Sequence, residues 1–257
     1  SYYGGKMSLA DTIVPLIPPH NTYIEPFFGG GSIFFSKQES KVEIINDVND
    51  NLIAFYEMLQ TEPEALIKMI EATLHSRTTY RVAQQTIRDC EAPNILKAWA
   101  TWVLNNSSMS GKISFGLDIL ENHTLLFRKR KTVLWDVAKR IENAQIECKC
   151  GLELIKQCDR EGSFFYIDPP YYNSDIRNYN CSYTKQDFTN LLSILENLKG
   201  KFILSSYPSD ILEEYTVRNN WETIKIEGNV SINNKTDSSK RKIEVITSNF
   251  KHTHKLF

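Results

Sequence analysis

Hydrophobic runs of strand length alternate with amphipathic runs of helical spacing along most of this chain, the pattern of an α/β sheet. TYIEPF (22–27) predicts a short strand, followed by FGGGS and a helix beginning near Ser32. VEIINDV (42–48) predicts a second strand, and the apolar spacing of NDNLIAFYEML (49–59) predicts a helix. IECKC (146–150) is a third candidate strand leading into LELIKQC, and SFFYID (163–168) is the most pronounced of the set. YTKQDFTNLLSILENL (183–198) predicts an amphipathic helix capped by Thr184, with Asp187 as its partner three positions on. KFILSSY (201–207) predicts the next strand, and WETIKI with IEVITSNF (243–250) a closing antiparallel pair.

Residues 63–145 break the alternation. PEALIKMIEATL, YRVAQQTIRDC and ILKAWATWVL are helical patterns that follow one another without a convincing strand. Such a stretch predicts an inserted helical module with soft boundaries near 61 and 145, flanked by a sheet domain formed from 1–60 and 146–257. The polar stretch 228–242 (GNVSINNKTDSSKRK) predicts a mobile hairpin loop, and there are no internal repeats.

Composition changes this picture little. The chain has 257 residues, 41% of them hydrophobic and 24% charged, as in an ordinary globular protein with one large domain or one domain carrying an insertion. No apolar stretch approaches a membrane span of roughly 18 residues. The start shows no signal-peptide pattern, although Ser1 is no natural start and residues are expected before it. Five cysteines without paired metal spacing predict reduced thiols in a cytoplasmic setting, because Cys148-Lys149-Cys150 is too tight for a CxxC site.

Charge is more informative in its distribution than in its total. The net charge is −1, yet residues 61–145 hold 12 Lys+Arg against 9 Asp+Glu. Arg128-Lys129-Arg130-Lys131 falls in this basic part, and 104–116 (LNNSSMSGKISFG) contains no acid. Alone, such a run reads as a solvated charge cluster; beside a site that demands a nucleic acid it reads as a polyanion contact.

Three motifs carry candidate chemistry. FFGGGS (27–32) ends the first strand, and its glycines allow a sharp turn and close approach of the backbone to a ligand. It is neither a Walker A loop nor a GxGxxG fingerprint. Asp47 ends the second strand 16 residues after Gly31, near the position from which an acid reaches ribose hydroxyls in doubly wound sheets; Asp50 reads instead as a helix N-terminal charge. Asp168-Pro169-Pro170-Tyr171 follows the strongest strand, at the carboxyl end where open α/β sheets bind ligands.

In that order, FFGGGS, the acid of INDVND and YIDPPYY resemble the Dam-type (D12 class) adenine-N6 DNA methyltransferases. YYGGKMSL at the start and RKIEVITSNF near the end match the same family. The resemblance covers most of the chain, the inserted module only loosely. It implies a Rossmann-like methyltransferase fold, a mostly parallel seven-stranded sheet with a helical target-recognition insert. It also implies S-adenosylmethionine as cofactor, S-adenosylhomocysteine as product and no metal.

The chemical difficulty is an exocyclic amine whose lone pair is delocalised into the purine ring. The Asp168 carboxylate and the Pro169 carbonyl would each accept one amine hydrogen, with Pro169 and Pro170 holding both acceptors rigid. Tyr171 would offer a face for an adenine extruded from the duplex. For the cofactor, the resemblance implies Tyr2, Tyr3 and Lys6 from the N-terminal motif and Glu25, Pro26, Phe27, Gly29, Gly30, Gly31 and Ser32 from the methionine-side loop. Asp47 would take the ribose, and Asp168 would border the same site. The family's acidic adenine contact falls at Cys150 here, a departure that puts that contact in doubt.

For DNA, the family places a reading loop after an aromatic-rich helix. It matches WVLNNSSMSGKISFG and offers Asn105, Asn106, Ser107, Ser108, Ser110 and Lys112 as polar contacts. Met109 would wedge into the gap left by the base. Arg128, Lys129, Arg130 and Lys131 are phosphate candidates, Tyr172 and Asn173 are further DNA-contact candidates, and Asn173 opens a stretch (173–183) resembling the loop that closes on the target. GATC readers carry an aromatic and an arginine in the reading loop; with Met109 and no arginine between 104 and 116, GATC specificity is not supported. Double-stranded DNA is the expected partner of a chain acting as a monomer, with a cognate restriction endonuclease as a further partner. Two alternatives stay open: cytosine-N4 methylation, which shares the geometry, and a catalytically silent DNA-binding subunit.

Overall fold

The computed structural model describes residues 7–107, 115, 122–172, 183–227 and 243–252. The predicted 228–242 loop and the 173–183 stretch apart from Tyr183 lie outside them. In chain order the elements are α1 (Met7–Ile13), β1 (Thr22–Glu25), α2 (Ser32–Ser36), β2 (Val42–Asn46), α3 (Asp50–Thr61), α4 (Pro63–Ala72), α5 (Arg77–Arg88) and α6 (Asn94–Ser107). There follow α7 (His123–Lys131), α8 (Leu134–Ile141), β3 (Gln145–Glu147), α9 (Gly151–Cys158), β4 (Ser163–Ile167) and α10 (Lys185–Leu195). β5 (Lys201–Ser206), α11 (Asp210–Asn219), β6 (Glu222–Glu227) and β7 (Ile243–Ser248) complete the described part.

The strands form one seven-stranded sheet in the order β3-β2-β1-β4-β5-β7-β6. All pairs are parallel except β5–β7 and β6–β7, so the closing pair is antiparallel as its sequence predicts. β4 is buried at all five positions, as a central strand covered by helices on both faces must be. The chain moves outward from β1 to β2 and β3, then returns to β4 on the other side of β1 and continues to β5. The loops leaving β1 and β4 therefore diverge, which opens a crevice between their carboxyl ends.

Most strands end before their hydrophobic runs do: β1 at Glu25 rather than 27, β2 at Asn46 rather than 48, β3 at Glu147 rather than 150. The residues beyond are committed to turns. Pro26 and Pro169 have no N–H to give a ladder, and Asn46 and Asp47 spend their side chains on neighbouring loops. Thr184 and Asp187 form the predicted reciprocal capping box on α10.

Between β2 and β3 the chain is helical through α3 to α8, with no strand among the described residues beyond an isolated bridge at Phe115. These helices share one apolar core with the sheet, in which Trp102, Phe127 and Ile141 join Tyr23, Phe34 and Phe164. A buried polar knot fastens the two parts at the amino end of the strands. Glu43 of β2 accepts from the Arg140 guanidinium of α8 (Nη2 to Oε1, 2.9 Å) and from Lys37, while Arg140 also donates to the Phe34 carbonyl.

Candidate functional site

The crevice is lined from the β1 side by Glu25 to Ser32. Gly29 and Gly31 hold φ of 49° and 61°, a conformation open to glycine at little cost. A Cβ on Gly31 would stand 2.4 Å from the Phe28 ring, whereas one on Gly29 would meet nothing within 4 Å. The turn is thus packed on its Gly31 side and open beside Gly29. The Gly31 N–H donates to the Phe28 carbonyl (2.8 Å), closing the turn into the short helix α2.

Asp47 holds this turn in place. Its Oδ2 accepts from the Gly29 N–H (2.9 Å) and its Oδ1 from the Asn49 N–H (3.0 Å). From the other side, the Tyr56 hydroxyl of α3 donates to the Gly29 carbonyl (3.0 Å). Asn46, fully buried, ties three strand ends together: its amide donates to the carbonyls of Pro26 (2.8 Å) and Lys149 (3.0 Å), and its oxygen accepts from the Lys149 N–H (3.0 Å). Cys150, exposed, follows at the start of α9. The next residue, Gly151, lies so close to Phe27 that a Cβ would stand 2.8 Å from its ring.

Glu25 is 2% exposed, and its Oε2 accepts from the Tyr23 hydroxyl (2.8 Å). Burial, with Glu25 beside it, pushes Tyr23 well above the usual phenol range and keeps it a donor. Neither residue reads as surface chemistry, which agrees with a carboxylate placed at the end of an apolar strand.

Across the crevice, Asp168 to Tyr171 leave β4. Parallel register sets Ile167 beside Leu204 of β5, so Asp168 comes alongside Ser205. The Tyr171 hydroxyl donates to Asp168 Oδ1 (3.0 Å) and lies 3.0 Å from Ser205 Oγ. Burial and then the Asp168 charge drive Tyr171 well above the usual phenol range, so Tyr171 keeps its proton and donates a hydrogen bond to the carboxylate, which leaves Ser205 as the donor to Tyr171. Edge-on packing of the Tyr171 and Tyr207 rings, 4.5 Å between centroids, fixes this arrangement, and Tyr172 leans on Phe188 at 5.4 Å.

The structure thus gathers Glu25 to Ser32, Asp47, Cys150 and Asp168 to Tyr172 at one end of the sheet. Sequence reasoning missed Asn46, Tyr56 and Ser205; a buried amide one residue before a strand-ending acid was the only local signal for any of them. Tyr2, Tyr3, Lys6, Ser108, Met109, Ser110, Lys112 and Asn173 lie outside the described residues.

The candidate DNA contacts are more dispersed in role. α6 runs through Ser107, so Asn105, Asn106 and Ser107 occupy its last turn rather than a loop. Asn106 donates from its side chain back to the Trp102 carbonyl (2.8 Å), and Ser107 is buried. Arg130 donates to the Asn106 carbonyl (2.9 Å), and Lys131 closes the end of α4 by donating to the carbonyls of Glu71 (3.0 Å) and Thr73 (2.6 Å). Burial lowers both cations from their usual range. Arg128 and Lys129 remain exposed. A mainly apolar cavity of about 210 Å³ separates this region from the glycine turn, with Gly30, Tyr56, Trp102, Asn105 and Lys129 among its walls. Among the described residues there is no cluster of metal-ligating side chains, and no helix is long and apolar enough to cross a membrane.

The family model of the D12 class N6 adenine-specific DNA methyltransferases matches residues 2–237. Among curated proteins, the chain is similar to the type II methyltransferase M1.LlaDCHI of Lactococcus lactis subsp. cremoris, with 25% identity over 96% of this chain and 93% of that protein. It is likewise similar to the DNA adenine methylase of Escherichia coli K12, with 23% identity over 96% and 93%. A solved rRNA methylase from Streptococcus thermophilus overlays with a TM-score of 0.40 and 11% identity over 95% of this chain and 96% of its own, too loosely to add to the strand order described above.

Proposed function

Because the chain belongs to the D12 class N6 adenine-specific DNA methyltransferase family, we propose that it methylates a specific adenine, flipped from double-stranded DNA, with S-adenosylmethionine as donor. Adenine-N6 methylation follows from membership and sets aside the cytosine-N4 alternative. The observation that carries the finer reading is the placement of the Asp168-Pro169 turn opposite the glycine turn at the sheet's switch point.

The residues fit the cofactor. Gly29 leaves open space at the turn. Asp47 uses one acceptor site on each oxygen for backbone N–H groups, and a carboxylate offers about four, so capacity remains for ribose hydroxyls. Glu25 to Ser32 would hold the methionine end, and Cys150 would border the adenine, with Tyr2, Tyr3 and Lys6 contributing from the N-terminal motif. When bound, S-adenosylmethionine supplies a methyl group already activated by its sulfonium.

The chain's own residues then prepare the amine. Asp168 and the Pro169 carbonyl accept its two hydrogens, directing the nitrogen lone pair away from both acceptors. The carboxylate is prealigned by Tyr171 and Ser205, so little reorganisation is required as charge develops. Pro169 and Pro170 keep the turn rigid, and the exposed part of Tyr171 receives the base. Extruding that base costs roughly a few kcal/mol, offset by protein contacts.

Residues 61–145 serve as the target-recognition module, with Asn105, Arg128 and Lys129 facing DNA, while 1–60 and 146–257 bind the cofactor. The protein acts as a monomer on DNA in the cytoplasm, with or without a cognate endonuclease. Transfer of labelled methyl to duplex DNA, with N6-methyladenine as product, tests the reading; no transfer to any duplex sinks it and leaves the silent-subunit alternative. Modification-sensitive sequencing of DNA from cells expressing the protein gives the recognition site.

A further inference from the structure

Helix α5 reads RTTYRVAQQTIR and contains three arginines and no acid. Arg77, Arg81 and Arg88 are all exposed. At about 100° per residue they fall within about 40° of one another, in a row about 16 Å long. Tyr80 and Ala83 form the buried side of the helix, a quarter-turn or so away. Among the described residues, no carboxylate pairs with any of the three arginines; Arg77 instead lies over the Phe115 ring, 5.2 Å from its centroid. The nearest acids in sequence, Asp89 and Glu91, lie past the end of the helix, where Asp89 accepts the Glu91 N–H (3.0 Å).

Two observations give this row a direction. Phe115, whose neighbours in sequence include no acid from 104 to 116, also meets His75 (4.9 Å) and Tyr80 (6.0 Å), so the row begins beside Phe115. Moreover, two of its three charges oppose the stability of their own helix, Arg88 alone lying in the last turn where a cation is favoured. Arg77 is the first residue of α5 and Arg81 follows one turn later, although a helix N-terminus favours anions, and α5 has no acid in its first turn. Ser76 caps the helix by accepting from the Thr79 N–H (3.1 Å), so the arginines are not needed to start it.

We propose that this face of α5 contacts the phosphates of duplex DNA flanking the target adenine. A duplex carries one phosphate charge per about 1.7 Å of axis, so a cationic row of this length spans several phosphates. Guanidinium groups suit the task, since their planar donors match phosphate oxygens two at a time. The contact is indifferent to sequence: it sets how the module lies along the duplex and leaves base reading to other residues. The inference rests on the reading that duplex DNA is the substrate.

The test compares the full chain with a triple variant, Arg77→Gln, Arg81→Gln and Arg88→Gln. All three sites are exposed and glutamine is a good helix former, so the fold is retained, which circular dichroism checks. Binding to a fluorescent duplex is measured by anisotropy over a series of salt concentrations. Each lost phosphate contact flattens the plot of log affinity against log salt by about 0.9, so the triple variant is expected to be shallower by about 2.7 and to bind about tenfold or more weakly near 0.1 M salt. The charge-preserving triple Arg→Lys variant retains the wild-type slope. A folded glutamine variant with unchanged slope overturns the inference while the substrate reading stands. A wild-type chain that binds no duplex at all overturns both.

Discussion

The Tyr171 hydroxyl donates to Asp168 Oδ1 across a span of only three residues, at 3.0 Å. A local bond of this kind, backed by Ser205 from the neighbouring strand, orients the carboxylate before any substrate arrives. Under the proposed mechanism, the same tyrosine that would offer a ring to the base also sets the angle of the group that would hold the amine.

Replacing Tyr171 with Phe keeps the ring against Tyr207 and removes the donor. Hydrogen bonds to charged groups contribute about 1.5–3 kcal/mol, so methyl transfer is expected to slow about tenfold to a hundredfold. Single-turnover kinetics with labelled cofactor measures this; undiminished transfer would show that Asp168 needs no such partner.

Asp168→Ala removes the proposed acceptor itself. Transfer should fall by at least about a hundredfold to a thousandfold, while calorimetric titration with S-adenosylmethionine shows affinity close to wild type. Should cofactor binding vanish as well, Asp168 holds the cofactor rather than the amine.

The two glycines of the turn differ in what surrounds them. Gly29→Ala meets only the backbone cost of a left-handed residue, about 1–2 kcal/mol, whereas Gly31→Ala also forces a methyl into Phe28. At about 2–4 °C per kcal/mol, Gly29→Ala lowers the melting temperature by a few degrees and Gly31→Ala by clearly more. Thermal melts of the two variants give the ranking, and equal shifts would contradict it.

Glu43 supplies a pH test. Burial alone would raise its pKa, but hydrogen bonds from Arg140, Lys37 and the Ser40 N–H outweigh burial and hold it below the ordinary 4.5. A lowered folded pKa means that its contribution is fully present above 4.5 and fades as pH falls through the lowered value. Glu43→Gln leaves Lys37 and Arg140 without their carboxylate, at a cost of about 3–5 kcal/mol near neutral pH. Melts of both proteins between pH 7 and 3 should show that difference shrinking with acidity; a constant difference would assign the loss to packing.

Local pattern made much of this legible. Period and capping marked the strands and α10, because Thr184 and Asp187 are three residues apart and Phe164 to Ile167 are uniformly apolar. Glycine and proline marked the two turns for the same reason. What stayed hidden depends on distant pairs: Tyr171 with Ser205 is separated by 34 residues, Tyr56 with Gly29 by 27, and Arg140 with Glu43 by 97. No window of sequence contains both partners. Arg130 and Lys131 illustrate the converse, since a basic run carries no mark of which cations the protein's own carbonyls engage.

Asn46 has a consequence for genetics. It is fully buried, yet its amide joins the turn after β1 to the segment after β3, both on the β1 side of the crevice. A mutational screen scored on cofactor use would therefore flag it beside Asp47, although its side chain faces only protein. Aspartate, its closest mimic in shape, would be among the worst replacements, because it sets a carboxylate against the carbonyls of Pro26 and Lys149 and donates to neither.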